Sequence, residues 1–338
     1  MIANISVIIP VYNGGEAFSS CLASLLAASL PPLEIIVVDD HSEDDSALIA
    51  QKFGTTLIRL DQQYGPAYAR NRGAEIAQGE ILFFIDADIV VPPYVIDKVA
   101  TVFQAEPALS AIFGSYDDAP VANNFLSQYK NLFHHYVHQT SQIEASTFWS
   151  GCGAIRREAF LSVGGFNEER FYQPAIEDIE LGYRLKRLGH RIRLEKSLQV
   201  KHLKRWRILP LLKTDFFYRA LPWTELILTE GGLINDLNIN RSTRISIMLT
   251  YLLLFALSVS VWQLPLAIMI SSSSMLLLLF LNWQLYFFFL RKRGILFSFT
   301  VLPWHWLYFL YCGLAFIIGI VRCYPSLQIS LSQTERRR

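Results

Sequence analysis

Residues 81–88 read ILFFIDAD, five apolar residues followed by two acids, Asp86 and Asp88, that are one residue apart. A continuous apolar run of this length is typical of a strand that is buried on both faces of a sheet. Two carboxylates at its end repel each other unless positive charge lies close to them. The stretch therefore predicts a buried strand that ends at a site containing a cation or a basic side chain.

Three further apolar runs precede this strand, and segments with helical spacing of their apolar residues separate them. The runs are ISVIIPVYN, LEIIVVDDHS and TTLIRL. Such alternation predicts an α/β fold with a mainly parallel sheet and helices on both faces. Sheets of this kind bind ligands beyond the carboxyl ends of their strands. The residues that fall at this edge are Tyr12, Asp39, Asp40, Asp86 and Asp88.

The composition excludes several classes of protein. The chain has 338 residues with 30 Lys and Arg against 29 Asp and Glu, so no basic surface points to nucleic acid. Its four cysteines are too few and too scattered for a disulfide framework or a thiolate metal site, which fits a reducing compartment. The N-terminus has no basic region before its first strand, so we do not expect a cleaved signal peptide.

The C-terminal part of the chain has the composition of a membrane region. About 20 apolar residues span a bilayer as a helix. Three long segments with almost no charge are predicted transmembrane helices, at 245–264, 266–290 and 295–321. Before them, 205–244 mixes aromatic and basic residues and is predicted to be an amphipathic segment in the membrane interface. A soluble domain over 1–204 and a short basic tail at 322–338 complete the predicted organisation.

Basic residues beside these helices set the expected orientation. Arg241 and Arg244 precede the first segment, and 291–293 is a basic run after the second. By the positive-inside rule both clusters are cytoplasmic, and so is the soluble domain. Three full spans place the basic tail outside, against the rule, so the third segment is either re-entrant or carried across by the upstream signals. We expect three full spans.

Two acids separated by one residue have a specific chemical use. Their oxygens can share a hard divalent cation, and the cation can in turn bind a diphosphate. The D-x-D pattern is common and weak by itself. Here it is one of six motifs that occur in order: SVIIPVYNGG, VVDDHSEDDS, GPAYARNRGAEIAQGEILFFIDAD, SGCGAIRREAF, GGFNE and EDIELGYRLKRLGH.

With these motifs the sequence resembles the family 2 glycosyltransferases, inverting enzymes of the GT-A fold that use nucleotide sugars. The resemblance covers roughly residues 4 to 205. It implies a Rossmann-like, mixed but mainly parallel sheet, a UDP- or GDP-linked sugar as donor, and Mn²⁺ or Mg²⁺ as cofactor. It also implies a nucleoside pocket of Pro10, Tyr12 and Asp40, with Asp39 as supporting neighbour and Arg70 in contact with the nucleotide.

The resemblance assigns the chemical steps to the later motifs. Asp86 and Asp88 match the motif for metal and diphosphate, and His202 matches a third metal ligand. An imidazole ligand favours Mn²⁺ over Mg²⁺. Asp178, in the Glu177-Asp178 pair, matches the catalytic base that removes a proton from the acceptor hydroxyl.

The predicted acceptor site follows from the same comparison. Its residues are Gly151, Cys152, Glu177, Arg205 and Trp206. Processive members of the family carry Q-x-x-R-W at the position where this chain has H-L-K-R-W. The change of Gln to His, together with only three predicted C-terminal spans, favours a single transfer over polymer synthesis.

These observations predict an integral membrane enzyme of the bacterial inner (plasma) membrane. It would transfer a sugar at the cytoplasmic face to a hydroxyl of a lipid, lipid-linked or glycan acceptor. The alternative is a catalytically silent membrane module that binds nucleotide sugars. A nucleotidyltransferase ranks lower, because the N-terminal VYNGGEAF has glycines but no basic residue.

Overall fold

The computed structural model describes residues 4–230 and 236–335, with side chains as far as Cys323 in the last helix. The chain divides into two compact units, Met1–Arg207 and Ile208–Arg338. The first unit contains the described strands, and the described elements of the second are all helices.

A nine-stranded sheet forms the centre of the first unit. Its strands are β1 (Ile5–Val11), β2 (Glu34–Asp39), β3 (Thr56–Arg59), β4 (Ile81–Ile85), β5 (Ile89–Val90), β6 (Ala111–Tyr116), β7 (Glu144–Ala145), β8 (Cys152–Arg156) and β9 (Ile192–His202). Their order is β3-β2-β1-β4-β8-β6-β9-β5, and β7 pairs with β9. The half from β3 to β4 is parallel, as the alternating pattern predicted. The other half is mixed, because β8 runs antiparallel to both of its neighbours.

The described part of this unit also has seven helices: α1 (Gly15–Leu26), α2 (Ser46–Lys52), α3 (Pro66–Ile76), α4 (Val95–Ala105), α5 (Phe125–Thr140), α6 (Arg157–Ser162) and α7 (Glu177–Arg187). Side chains from one face of the sheet, such as Val7, Val37 and Phe83, pack with Phe18 of α1 in the main core. All five residues of ILFFI are fully buried in β4. Burial of so much apolar surface fixes β4 at the centre, so the acids after it must emerge at the sheet edge.

The second unit contains α8 (Ile208–Lys213), a π-helix at Thr214–Ala220, α9 (Leu221–Glu230), a short 3₁₀ turn at Leu237–Ile239, α10 (Arg241–Val259), α11 (Leu264–Leu281) and α12 (Trp283–Glu335). Helix α9 packs against α12, and α10 packs against α11 and α12. One close approach explains part of this packing: a side chain at Gly319 would lie 2.5 Å from a methyl group of Thr224.

Among the residues that the structure describes, three helices are long and apolar enough to cross a membrane, as predicted: Arg241–Val259, Leu264–Leu281 and Trp283–Cys323. Only 17% of the most apolar window of each of the first two is buried, so most of their apolar surface faces outward. The sequence placed the end of the second segment at residue 290, whereas the second helix ends at Leu281 and is capped by Asn282. Helix α12 begins at the next residue and is interrupted at Gly294, whose φ of 80° no regular helix allows.

Candidate active site

Arg70 supplies positive charge at the end of β4. It lies on α3, and one guanidinium nitrogen contacts Asp86 at 2.7 Å while another contacts Glu177, at the start of α7, at 2.9 Å. Arg70 is only 4% exposed, and its Nε has no hydrogen-bond partner among the described residues. Burial alone would lower the pKa of Arg70, but the two carboxylates outweigh it and raise that pKa. Arg70 therefore joins the strand that carries the D-x-D motif to the helix that carries the predicted base.

Asp88 contacts His202, whereas Asp86 contacts Arg70. Its carboxylate lies 3.4 Å from Nε2 of His202, because Ile89 of β5 pairs with His202 of β9 in antiparallel register. The imidazole stacks on the ring of Tyr116 at 4.2 Å, which fixes its plane. Burial raises the pKa of Asp88, but His202 and Lys204 outweigh this effect and hold the pKa below its usual range. Asp88 is therefore in its ionised form at neutral pH.

The predicted metal ligands are only partly assembled. Among the described residues, no group of three His, Cys, Asp or Glu side chains lies close enough to hold a metal ion. The reason is that Asp86 is paired with Arg70, which leaves Asp88 and His202 as a pair. A carboxylate oxygen and an imidazole nitrogen this close together fit a divalent cation whose other ligands come from a diphosphate and water. The structure places Asp88 and His202 together and Asp86 on Arg70, so the predicted three-residue metal site stays a prediction.

Asp178 occupies the first turn of α7 and is held on both oxygens. The backbone N–H and the hydroxyl of Ser150 donate to Oδ2 at 3.1 and 3.3 Å, and the N–H of Ile179 donates to Oδ1 at 2.8 Å. Burial and the neighbouring Glu177 raise the pKa of Asp178 to about 7, against the opposing effects of the Ser150 N–H and Arg70. A carboxylate with such a pKa accepts a proton more readily than an ordinary one.

The predicted nucleoside residues lie at the ends of β1 and β2. Tyr12 is 45% exposed, whereas Pro10 is partly buried within β1. Asp39 is fully buried, accepts from the N–H of Ser42 at 2.8 Å and lies 3.4 Å from Arg59.

Asp40 uses both carboxylate oxygens to hold the turn that leads into α3. They accept the N–H groups of Tyr64 and Gly65 at 2.7 and 2.8 Å. Gly65 has a φ of 93°, and a side chain there would overlap the carbonyl of Tyr172 at 2.3 Å. Since a carboxylate has about four acceptor positions, Asp40 retains the capacity to accept from a base as well.

The predicted acceptor residues do not share one environment. Glu177 is 5% exposed, and its oxygens are engaged by Arg70 and by the N–H of Ala175 at 2.9 Å. Cys152 is fully buried in β8, where burial raises the pKa of its thiol. Both side chains are buried, and their assignment to an acceptor site stays a prediction.

Gly151 is buried as well. Its carbonyl accepts the N–H of Asp86 at 3.2 Å, and a side chain there would meet the indole of Trp149 at 2.6 Å. At the end of the unit, Trp206 is 5% exposed and bonds through its backbone to Ser127 and Asn124, while Arg205 is exposed.

The sequence analysis did not single out three residues that link parts of the site: Asn71, Glu168 and Ser150. Asn71 donates to the carbonyl of Phe166 and to Glu168, and accepts from the N–H of Phe166 at 2.9 Å. This links the ARN motif of α3 to the GGFNE turn. Ser150 is the third, through its bonds to Asp178. The signal was present, because all three lie inside quoted motifs, but their partners lie 28 to 97 residues away along the chain.

Comparisons with known proteins show what this chain is similar to. Residues 6–164 match the family described as glycosyl transferase family 2, and residues 131–206 match the N-terminal domain of galactosyltransferase. The uncharacterised glycosyltransferase YibD of Escherichia coli is 41% identical over 101 residues, which is 29% of each chain. The glucosyl-dolichyl phosphate glucuronosyltransferase of Haloferax volcanii is 26% identical over 179 residues, 48% of this chain and 56% of the relative. The chain thus spans little more than half, or less, of the length of these relatives.

Solved structures show the same fold. The mannosyltransferase PcManGT of Pyrobaculum calidifontis, solved with GDP-Man and Mn²⁺, superposes with a TM-score of 0.51 over 94% of this chain and 88% of its own, at 16% identity. Staphylococcus aureus TarS superposes with a TM-score of 0.50 over 67% of this chain and 66% of its own, at 18% identity. The first unit is a GT-A domain with a mixed, mainly parallel sheet. Residues 6–164 match the family 2 glycosyltransferases, and the described part of the chain continues into three apolar C-terminal helices.

Proposed function

We propose that this protein is a membrane-bound, inverting and non-processive glycosyltransferase. It moves a sugar from a UDP- or GDP-linked donor to a hydroxyl of a lipid, lipid-linked or glycan acceptor. One observation carries the proposal: Arg70 joins Asp86 of the D-x-D motif directly to Glu177, the neighbour of the predicted base Asp178. The groups needed for the leaving diphosphate and for the attacking hydroxyl therefore belong to one connected cluster.

Asp178 is the base of this mechanism. The acceptor oxygen must lose its proton as it attacks the anomeric carbon, and a carboxylate within hydrogen-bond reach takes that proton. With a pKa of about 7, Asp178 is ionised in much of the enzyme at neutral pH and is still basic enough to accept a proton. Attack from the face opposite the diphosphate inverts the configuration of the sugar, so no second carboxylate is required.

Asp88 and His202 are the residues that would hold the divalent cation. When bound, such a cation stabilises the negative charge that develops on the departing diphosphate. Arg70, fixed by two carboxylates, adds a permanent positive charge beside the same region. The Pyrobaculum structure with the same fold contains GDP-Man and Mn²⁺, which supports this choice of donor and metal.

The apolar helices of the second unit support a membrane location and a lipid or lipid-linked acceptor. Their most apolar windows are mostly unburied within the chain, so a bilayer is the environment that satisfies them. The relative from Haloferax volcanii is named as acting on glucosyl-dolichyl phosphate, a lipid-linked sugar. We place the first unit on the cytoplasmic side because basic residues 291–293 and Arg241 flank the helices. On the same grounds we assign the protein to a bacterial inner membrane.

The test uses the full chain in detergent with a panel of UDP- and GDP-sugars, Mn²⁺ or Mg²⁺, and a total lipid extract as acceptor. We expect release of nucleotide and transfer of label to lipid. Asp178→Asn should lower turnover by about 10²- to 10⁴-fold, the contribution of a general base, and leave nucleotide binding unchanged. The matched control is Asp97→Asn, which removes an exposed acid from the first turn of α4 and should keep full activity.

Retained turnover in Asp178→Asn would reject the assignment of the base. Metal-dependent nucleotide binding without sugar release from any donor would instead support the silent nucleotide-sugar-binding module. The presence of Asp88, His202 and Asp178 in one domain favours the enzyme, because a silent module needs no base.

A further inference from the structure

The hydroxyl of Ser150 has an unusual position for a side chain in a loop. It lies between β7 and β8, is only 2% exposed, and donates to Oδ2 of Asp178, as its own backbone N–H does. A buried hydroxyl aimed at a carboxylate replaces a water molecule with a fixed donor. Among the described residues, Ser150 is the one residue outside α7 whose groups donate to the carboxylate of Asp178.

The loop is locked against the helix that carries Asp178. Gly182 lies four residues after Asp178, on the same face of α7. A side chain at Gly182 would lie 2.5 Å from the backbone nitrogen of Phe148 and 2.6 Å from the backbone of Thr147. A second contact fixes the other end, because a side chain at Gly153 would lie 2.3 Å from the carbonyl of Trp149. The backbone just before Ser150 is thus closely packed on both sides, and the hydroxyl of Ser150 lies 3.3 Å from Oδ2 of Asp178.

We infer that Ser150 is a positioning residue for Asp178, holding Oδ2 in one orientation and favouring the ionised carboxylate that accepts the acceptor's proton. This inference rests on the proposed function. The charged groups that act on Asp178 are Glu177 on the same helix, Arg70 on α3 and Asp86 after β4. None of them changes when the hydroxyl is removed, so any effect on the ionisation of Asp178 comes from the lost hydrogen bond.

The first test is the pH profile of kcat/KM for Ser150→Ala. This variant keeps the backbone N–H and loses only the hydroxyl. Loss of one hydrogen bond to the carboxylate should raise the acidic midpoint of the profile, the pH at which kcat/KM is half-maximal. The expected increase is about 0.4–1 pH unit from a wild-type midpoint near 7. The fall in kcat/KM should be several-fold below the midpoint and small well above it, while nucleotide affinity stays constant.

Two variants control this experiment. Ser150→Thr keeps a hydroxyl and should retain the wild-type midpoint. Ser162→Ala removes a hydroxyl that bonds to the carbonyl of Ala159 in α6 and should not move the profile. A merely structural role of Ser150 predicts a different result: an equal loss of activity at every pH, with the midpoint of the profile unchanged. That result would overturn the inference while leaving the proposed function intact.

The second test does not depend on turnover. A folded Asp178 with a raised pKa holds its proton at pH values where the unfolded chain has lost it, so stability falls as pH rises from about 4 to about 7. Ser150→Ala raises that pKa further and extends the loss to higher pH. The difference in Tm between Ser150→Ala and wild type should therefore be larger at about pH 8.5 than at about pH 5.5.

In an Asp178→Asn background this pH dependence of the Ser150 effect should vanish, because no carboxylate titrates. If it persists, Ser150 does not act through Asp178 and the inference fails. If the wild-type protein transfers no sugar from any donor, the proposed function fails. The comparison of Tm values for the Ser150 and Asp178 variants at the two pH values still decides whether Ser150 sets the ionisation of Asp178.

Discussion

Replacement of Arg70 by Met should destabilise the first unit strongly. Arg70 has 5% of its side chain exposed and neutralises Glu177, of which 6% is exposed, as well as the one-third exposed Asp86. Removal of one partner of a buried ion pair costs about 3–5 kcal/mol, because the other charge stays buried without compensation. Since Asp86 can remain hydrated, we expect the lower end, about 3 kcal/mol. For a domain of this size that corresponds to a decrease of about 6–12 °C in Tm.

The assay is thermal unfolding of the full chain in detergent at one pH, with two reference variants. Arg72→Met lies on the same helix but removes a partly exposed guanidinium that pairs with Glu75 and Glu168. Such a pair contributes about 1 kcal/mol or less. Arg70→Met combined with Glu177→Gln removes the buried charge and keeps an acceptor for the N–H of Ala175, so it should regain more than half of the lost Tm.

Two results would refute this reasoning. One is a decrease in Tm for Arg70→Met no larger than that for Arg72→Met, which would mean that the buried pair contributes no more than a surface one. The other is a further decrease when Glu177→Gln is added, because that would show that Glu177 is stabilised by something other than Arg70.

Three further predictions concern the site. The kcat/KM of the wild-type protein should fall about tenfold per pH unit below a midpoint near 7, because the protonated form of Asp178 cannot act as a base. A flat profile from about pH 5 to 8 would contradict this prediction. Asp88→Asn and His202→Ala should each weaken nucleotide binding in the presence of Mn²⁺, measured by titration, and leave metal-free binding unchanged. Equal affinities of variant and wild type in the presence of Mn²⁺ would contradict this prediction. Gly65→Ala should lower the Tm measured by thermal unfolding by several degrees, because the methyl group would overlap the carbonyl of Tyr172. An unchanged Tm would show that the turn can rearrange without loss of stability.

The parallel half of the sheet and the three apolar helices could be predicted because their signals are local. Strands β1, β2 and β4 consist mainly of buried apolar residues, and each predicted transmembrane segment is long and almost free of charge. The antiparallel insertion of β8 between β4 and β6 was not predictable in this way. It depends on pairing between residues about 70 positions apart, such as Ile85 and Cys152, and no local pattern specifies such a pairing.

The candidate site shows the same division at the level of side chains. The positions of Asp86, Asp88 and Asp178 followed from strand ends and a helix start. Their partners did not, because the spacing of two acids does not reveal which way either side chain points. Asp86 turns to Arg70, 16 residues earlier, and Asp88 turns to His202, which lies on a strand at the far side of the sheet order. The division of one predicted metal triad into two separate pairs is therefore a property of the tertiary structure alone.

That division also explains why Asp178 can act as a base although an arginine lies nearby. An arginine in direct contact with a carboxylate lowers its pKa by about 1–3 units, which would leave Asp178 fully ionised but a poor proton acceptor at neutral pH. Arg70 does not form that contact, because Asp86 and Glu177 hold its guanidinium on two sides. Its charge moderates the pKa of Asp178 from a distance, while burial and Glu177 keep that pKa near 7. The ion pairs of Arg70 therefore stabilise the fold and, by keeping the guanidinium away from Asp178, preserve the basicity that transfer requires.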